Sequence, residues 1–96
     1  MKILIVGVGR VGCSLAQNLV SGKDDVTVVD INRERLSELQ ERFDLRTVYG
    51  DASSPQVLEE AGAHDADLLV ACSASDAVNL MACCLLYTSD AADAPY

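Results

Sequence analysis

Basic residues are scarce in this chain. Its 7 Lys and Arg stand against 15 Asp and Glu, for a formal charge of -8 at pH 7. Contact with a nucleic-acid backbone needs clustered Lys and Arg, so nucleic acid is excluded as a partner. The same deficit excludes unaided adsorption to anionic lipid. Long apolar runs are missing too. The stretches Ile3–Val8 and Asp67–Cys72 are strand-sized, far short of the ~20 residues a spanning helix needs, so no direct membrane insertion is expected. No cleavable leader is visible, because glycines follow the first apolar run at once and no small-residue cleavage site comes after. The expected location is therefore cytoplasmic.

Histidine is limited to His64, and there is no Cys-x-x-Cys pair. No zinc ligand set can be assembled from that inventory, and no metal is expected. Cys13, Cys72, Cys83 and Cys84 read as small, buried apolar residues in a reducing compartment. Spacings of the Ser/His/Asp or Cys/His kind are absent, so no catalytic residue is assigned. His64 falls in the polar turn Ala63–Asp65, and Glu59 with Glu60 reads as a wet helix face rather than a paired acid and base. There is no internal repeat and no low-complexity linker.

What is present is the composition of one small domain. The 96 residues are 50% hydrophobic and 23% charged, which excludes disorder and allows a single core. A chain of this length buries only about 60–65% of its unfolded surface, so its stability is marginal.

Apolar runs alternate with helical patterns. Lys2–Gly7 is a continuous β-branched run of the kind that suits a strand buried on both faces. A helix follows, with Val11, Leu15, Leu19 and Val20 as its apolar side and Gly22 as its stop. Val26–Asp30 is a second strand. Asn32 caps a helix to Phe43 that buries Leu36, Leu39 and Phe43. On its wet face Arg33 and Arg35 read as ion-pair partners of the neighbouring glutamates. Leu45–Tyr49 is a third strand, and Ser54-Pro55 opens a third helix that ends at Gly62. Asp67–Cys72 is a fourth strand. Ser73 to Asp76 has capping-box spacing and opens a fourth helix through Val78, Leu80 and Met81. This alternation predicts an α/β fold, a Rossmann-like doubly wound parallel sheet in strand order 3-2-1-4, with the fourth strand at an open edge.

The chemistry is concentrated in Gly7-Val8-Gly9-Arg10-Val11-Gly12, a G-x-G-x-x-G that directly follows a strand and opens a helix. Gly7 permits the tight turn, Gly9 the approach of a pyrophosphate, and Gly12 the close packing of helix on strand. The helix N–H groups and dipole then favour a doubly negative linkage. Asp30 lies 18 positions beyond Gly12, at the end of the second strand. There a carboxylate accepts from the adenosine ribose hydroxyls and repels a 2′-phosphate, which favours NAD(H) or an unphosphorylated adenine nucleotide over NADP. The competing reading is that Asp30 only caps the next helix. Loops after the third and fourth strands complete the crevice: Asp51 and Ala52 beside the adenine, Ser73 and Ala74 along the linkage and second ribose. Ser73 and Asp76 also read as helix caps.

With these motifs placed, the sequence resembles the Trk potassium-uptake regulatory family, in its N-terminal nucleotide-binding lobe known as TrkA-N, RCK or KTN. Met1–Gly12, Val26–Asp30 with Arg35-Leu36, Gly50–Ser53, Val57–Ala63, Ala66–Ala71, Ser75-Asp76 and Asn79-Leu80 carry the resemblance, over about residues 1 to 83. It implies a non-catalytic cytoplasmic subunit that binds NAD(H), or ATP or ADP, and gates a membrane potassium transporter subunit. It implies a homo-oligomer when complete, held at the inner face of the plasma membrane through its partner. It also places Arg10 over the diphosphate. Ala77 departs from the acidic residue common after Ser-Asp in the family. A complete lobe would need about two more strands after residue 83. Cys84–Asp93 instead resembles translated sequencing-adapter read-through, so the expected boundary separates a truncated lobe, 1-83, from a non-native tail, 84-96. Two alternatives remain from the residues alone: a fragment of an NAD-dependent oxidoreductase, and an epimerase fragment, which the glycine spacing disfavours.

Overall fold

The computed structural model describes residues 1–73 together with Ser75, Val78, Asn79 and Ala82. Leu80, Met81, the boundary expected at residue 83 and the tail 84-96 lie outside the described residues. Four strands, β1 (Lys2–Val6), β2 (Asp25–Asp30), β3 (Arg46–Tyr49) and β4 (Leu68–Ala71), alternate with three helices, α1 (Arg10–Val20), α2 (Arg33–Arg42) and α3 (Pro55–Glu60). All strand pairs are parallel and the sheet order is β3-β2-β1-β4. The expected topology is thus the observed one.

Strand periodicity explains why this sheet needs two covers. In β1, Ile3 and Ile5 point to one face and Leu4 and Val6 to the other, and all four are buried. Ile3, Ile5, Val26 and Val28 pack with Leu36, Leu39 and Ala16 beneath α1 and α2. Leu4, Val6 and Val29 pack with Leu58, Ala61 and Ala82 on the opposite face. Among the described residues β4 is one edge of the sheet. Its residues stay half-buried apart from Leu68, which is exposed.

Local details depart from the expectations in instructive ways. The buried line of α1 runs through Gly12 and Ala16, not through its large side chains. Small residues let the helix settle onto the sheet, and Leu15, Leu19 and Val20 flank the contact half-buried. Of Val11 only the backbone is described. Gly22 does not stop α1 in a left-handed conformation. The cap is Ser21 in the right-handed region, and the positive-φ glycines are Gly7, Gly50 and Gly62. Ser54 occupies the cap position of α3, but its hydroxyl makes no capping bond. That helix is held at its other end, where Arg46 Nη2 donates to the Glu60 carbonyl at 2.8 Å. Phe43 is half-buried and terminates α2 in an extended conformation.

Asn32 behaves as expected: its Oδ1 accepts from the Arg35 N–H at 3.1 Å. Asn32→Ala should therefore destabilise the domain by about 1 kcal/mol, read as a shifted midpoint in urea denaturation with an unchanged slope.

Candidate functional site

The site is assembled where the four strands end. Gly7 leaves β1 with φ +104°, a conformation that other L-residues rarely adopt. A Cβ at Gly7 would lie 2.6 Å from the Cα and N of Ser73, so this glycine also lets the chain after β4 close over the loop. Gly9 is the N-cap of α1 and brings no side chain to the helix end. The first backbone bond of the helix runs from the Cys13 N–H to the Gly9 carbonyl. The N–H groups of Arg10, Val11 and Gly12 precede that ladder and face the loop with the positive end of the helix dipole. Nothing lies within 4 Å of a Cβ placed on Gly9. Gly12 is the opposite case, packed on the Gly7 carbonyl and the Cys72 thiol. Burial pushes that thiol above its usual pKa.

Asp30 makes a contact that neither expected role includes. Its Oδ2 accepts from the Val8 N–H at 2.8 Å and its Oδ1 from the Asn32 N–H at 2.7 Å. One carboxylate thus ties the glycine loop to the first turn of α2. Each oxygen keeps lone-pair capacity for a hydroxyl donor. The Val8 amide is consequently committed to Asp30, and its side chain is in the core. Across the crevice, Asp51 Oδ1 accepts from both the N–H (2.9 Å) and the hydroxyl (2.7 Å) of Ser53. The backbone bond first, and then the hydroxyl, hold the Asp51 carboxyl below its usual pKa.

A cavity of about 340 Å³ opens between these parts. Gly7, Gly9, Asp30, Asp51, Ala52 and Ser73 all border it. Arg10 does not border this cavity and instead lines a separate groove with Val8 and Gly9. Ala74 and Asp76 are outside the described residues. A larger, open depression of about 680 Å³ sits at the opposite end of the sheet among residues such as Asp24, Asp44 and Asp65. No glycine loop or helix N-terminus of this kind converges there, and ligands of open α/β sheets lie outside the carboxyl ends of the strands.

Several wall residues were not singled out from sequence. Ile31 is 70% exposed and lines the cavity beside Asn32 and Arg35. Its place directly after the strand-ending carboxylate was the available signal. Arg33 and Arg35 form no ion pair among the described residues. Arg33 stacks over the Tyr49 ring, 4.2 Å from its centroid, while Arg35 borders both the cavity and the groove beside Arg10. The cap expected at Ser73 is displaced by two residues. Ser75 Oγ accepts from the Val78 N–H at 3.2 Å and the Ser75 carbonyl from the Asn79 N–H at 3.1 Å. His64 is exposed, as are Glu59 and Glu60.

A parallel 3-2-1-4 sheet, a glycine-rich first turn and a carboxylate ending the second strand together define a Rossmann-like α/β domain of the nucleotide-binding class. Residues 3–93 match the TrkA-N domain family. The chain belongs to that family. It is 56% identical over 88 residues to the Trk system potassium uptake protein TrkA of Haemophilus influenzae and 54% identical over 88 residues to that of Vibrio alginolyticus. Each alignment covers 92% of this chain and 19% of the relative. The TrkA homolog of Pyrococcus abyssi is 39% identical over 85 residues, which is 88% of this chain and 37% of that protein. The chain therefore spans only a minor part of the curated relatives it matches. Among solved structures, the Kef CTD of Shewanella denitrificans in AMP-bound form superposes with a TM-score of 0.81 at 26% identity. That superposition covers 95% of this chain and 54% of the other.

Proposed function

We propose that this chain is the nucleotide-sensing lobe of a regulatory subunit for potassium uptake. It binds NAD(H), or ATP or ADP, in the cavity at the carboxyl end of the sheet and turns over no substrate. The observation that carries this reading is the convergence on one cavity of the Gly7–Gly9 turn, the start of α1 and the Asp30 carboxylate. A diphosphate meets N–H groups at the helix start, and a ribose meets a carboxylate that still has acceptor capacity. The potassium-uptake names of the relatives support the physiological role, and the AMP-bound Kef CTD supports an adenine nucleotide. Among the described residues, no helix is long and apolar enough to cross a membrane. A membrane potassium transporter subunit is the proposed partner. It would hold a homo-oligomer of the complete subunit at the cytoplasmic face.

Calorimetric titration of the chain with NAD+, NADH, ATP, ADP and AMP tests the reading. At least one should bind with one-to-one stoichiometry, and flat titrations with all five would overturn it. Asp30 offers the sharper measurement. Asp30→Ala should weaken NAD+ binding about ten- to a hundredfold, through the loss of a charged acceptor worth roughly 1.5–3 kcal/mol. It should also narrow the preference for NAD+ over NADP+, because the repulsion of a 2′-phosphate goes with the carboxylate. Unchanged selectivity would reduce Asp30 to a strut between loop and helix.

A further inference from the structure

Asn79 does not border the cavity, yet it holds a residue that does. Its Oδ1 accepts from the Ser73 N–H at 2.9 Å, and its Nδ2 donates to the Ser73 carbonyl at 3.1 Å. Ser73 follows the last ladder bond on that side of β1, from the Cys72 N–H to the Val6 carbonyl at 2.8 Å. The side-chain amide of Asn79 therefore takes over where the sheet stops, answering both backbone groups of one residue. The planar side-chain amide presents a neutral donor and an acceptor together, whatever the pH.

The consequences run in two directions. Toward the site, Ser73 closes over Gly7 so tightly that no Cβ fits between them. The Ser73 hydroxyl accepts from the Ser75 N–H at 3.2 Å and donates to the Ser75 carbonyl at 3.0 Å, which fixes the second serine of the wall. Toward the core, Asn79 belongs to the helical residues that include Val78, on the cavity wall, and Ala82, fully buried against the Leu58 and Ala61 side of the sheet.

We infer that Asn79 is a positioning residue for the bound nucleotide: its paired bonds to Ser73 set the height of a jaw, Ser73 with Ser75, above the glycine loop. The inference rests on the reading of this cavity as a nucleotide site. A jaw held at a fixed height presents its groups to the ligand without an ordering cost at binding, and releasing it restores that cost.

The test is NAD+ affinity by calorimetry for the unchanged chain, Asn79→Ala and Asn79→Asp, each at pH 8 and pH 5, with circular dichroism confirming the fold. Asn79→Ala should bind about tenfold more weakly at both pH values, from the loss of two neutral hydrogen bonds. Asn79→Asp should be as weak at pH 8, because a carboxylate still accepts from the Ser73 N–H but opposes the Ser73 carbonyl. At pH 5 the protonated fraction donates to the carbonyl, and part of the lost affinity should return relative to the unchanged chain at the same pH. Circular dichroism separates the two roles, because a purely structural asparagine would lose affinity only as far as the fold is lost. Equal affinity in all three chains overturns the assignment, as does a loss matched by unfolding with no recovery in Asn79→Asp at pH 5. Failure of the unchanged chain to bind NAD+ overturns the assignment together with the NAD+ reading. Binding by the unchanged chain with indifferent variants overturns the role of Asn79 alone.

Discussion

Gly9→Asp is expected to abolish nucleotide binding while leaving the fold intact or slightly firmer. Gly9 has φ -69° and ψ -166°, an extended conformation open to any residue. A Cβ there meets nothing within 4 Å. Asp is moreover a better N-cap than Gly by a few tenths of a kcal/mol, since its carboxylate accepts from the helix N–H groups. That gain is the reason for the loss of function. The new carboxylate occupies the place of the diphosphate, with the same sign of charge, and engages the donors the ligand needs. Charge-assisted bonds are worth roughly 1.5–3 kcal/mol each, so affinity should fall at least about a hundredfold. Calorimetry would show no heat of binding, while urea denaturation would show an unchanged or slightly raised midpoint. Retained affinity would refute the placement of the diphosphate on this helix.

Gly12→Ala should fail for the opposite reason. An added methyl group would be driven into the Gly7 carbonyl oxygen and would come within 3.1 Å of the Cys72 sulfur. The carbonyl is backbone and cannot swing aside as a flexible side-chain tip can. Either α1 lifts from the sheet or the loop after β1 is displaced. The helix is seated there by Ala16, which is fully buried, so lifting it opens the core between α1 and β1. Overpacking of this kind costs typically 1–3 kcal/mol, and the rigidity of the neighbour places this case at about 3 kcal/mol or above. The urea midpoint should drop accordingly, and nucleotide binding should weaken with it. Two glycines three residues apart in one motif should thus separate experimentally, Gly9→Asp by loss of binding with the fold kept and Gly12→Ala by loss of packing.

Elements whose cause is local were legible in the amino-acid order. The β-branched run through Ile3–Val6, the Asn32 cap and the Pro55 start of α3 depend on neighbours within a few residues. So does the strand–helix alternation, and with the right-handed crossover rule it leaves few sheet orders to choose from. The tight turn at Gly7 and the close packing at Gly12 were legible because each has a steric reason within the strand-to-helix turn itself. Where local signals competed, they were less decisive. Ser73 and Ser75 both suit a helix cap, and the bond from the Ser73 N–H to Asn79 gives the cap to the second serine. Arg35 has Glu38 three residues on along its own helix, whereas Arg33 has no glutamate three or four residues away. Arg33 stacks instead on Tyr49, at the end of β3, and Arg35 borders the cavity.

By itself, then, the sequence determined a Rossmann-like parallel sheet in order 3-2-1-4 and a glycine turn opening a helix at the end of its first strand. Periodicity and backbone sterics act over short distances and suffice for both. Only the tertiary structure decided how the site is held together. Asp30 reaches the Val8 amide across 22 residues, and Cys72 reaches the Gly7 carbonyl across 65 at 3.8 Å. These partners meet because the parallel register sets Val6 beside both Val29 and Ala71, so that the residues just beyond them emerge side by side. A hydrogen bond is made over about 3 Å, and which groups come that close is settled by strand register rather than by the identity of residues far apart in the chain.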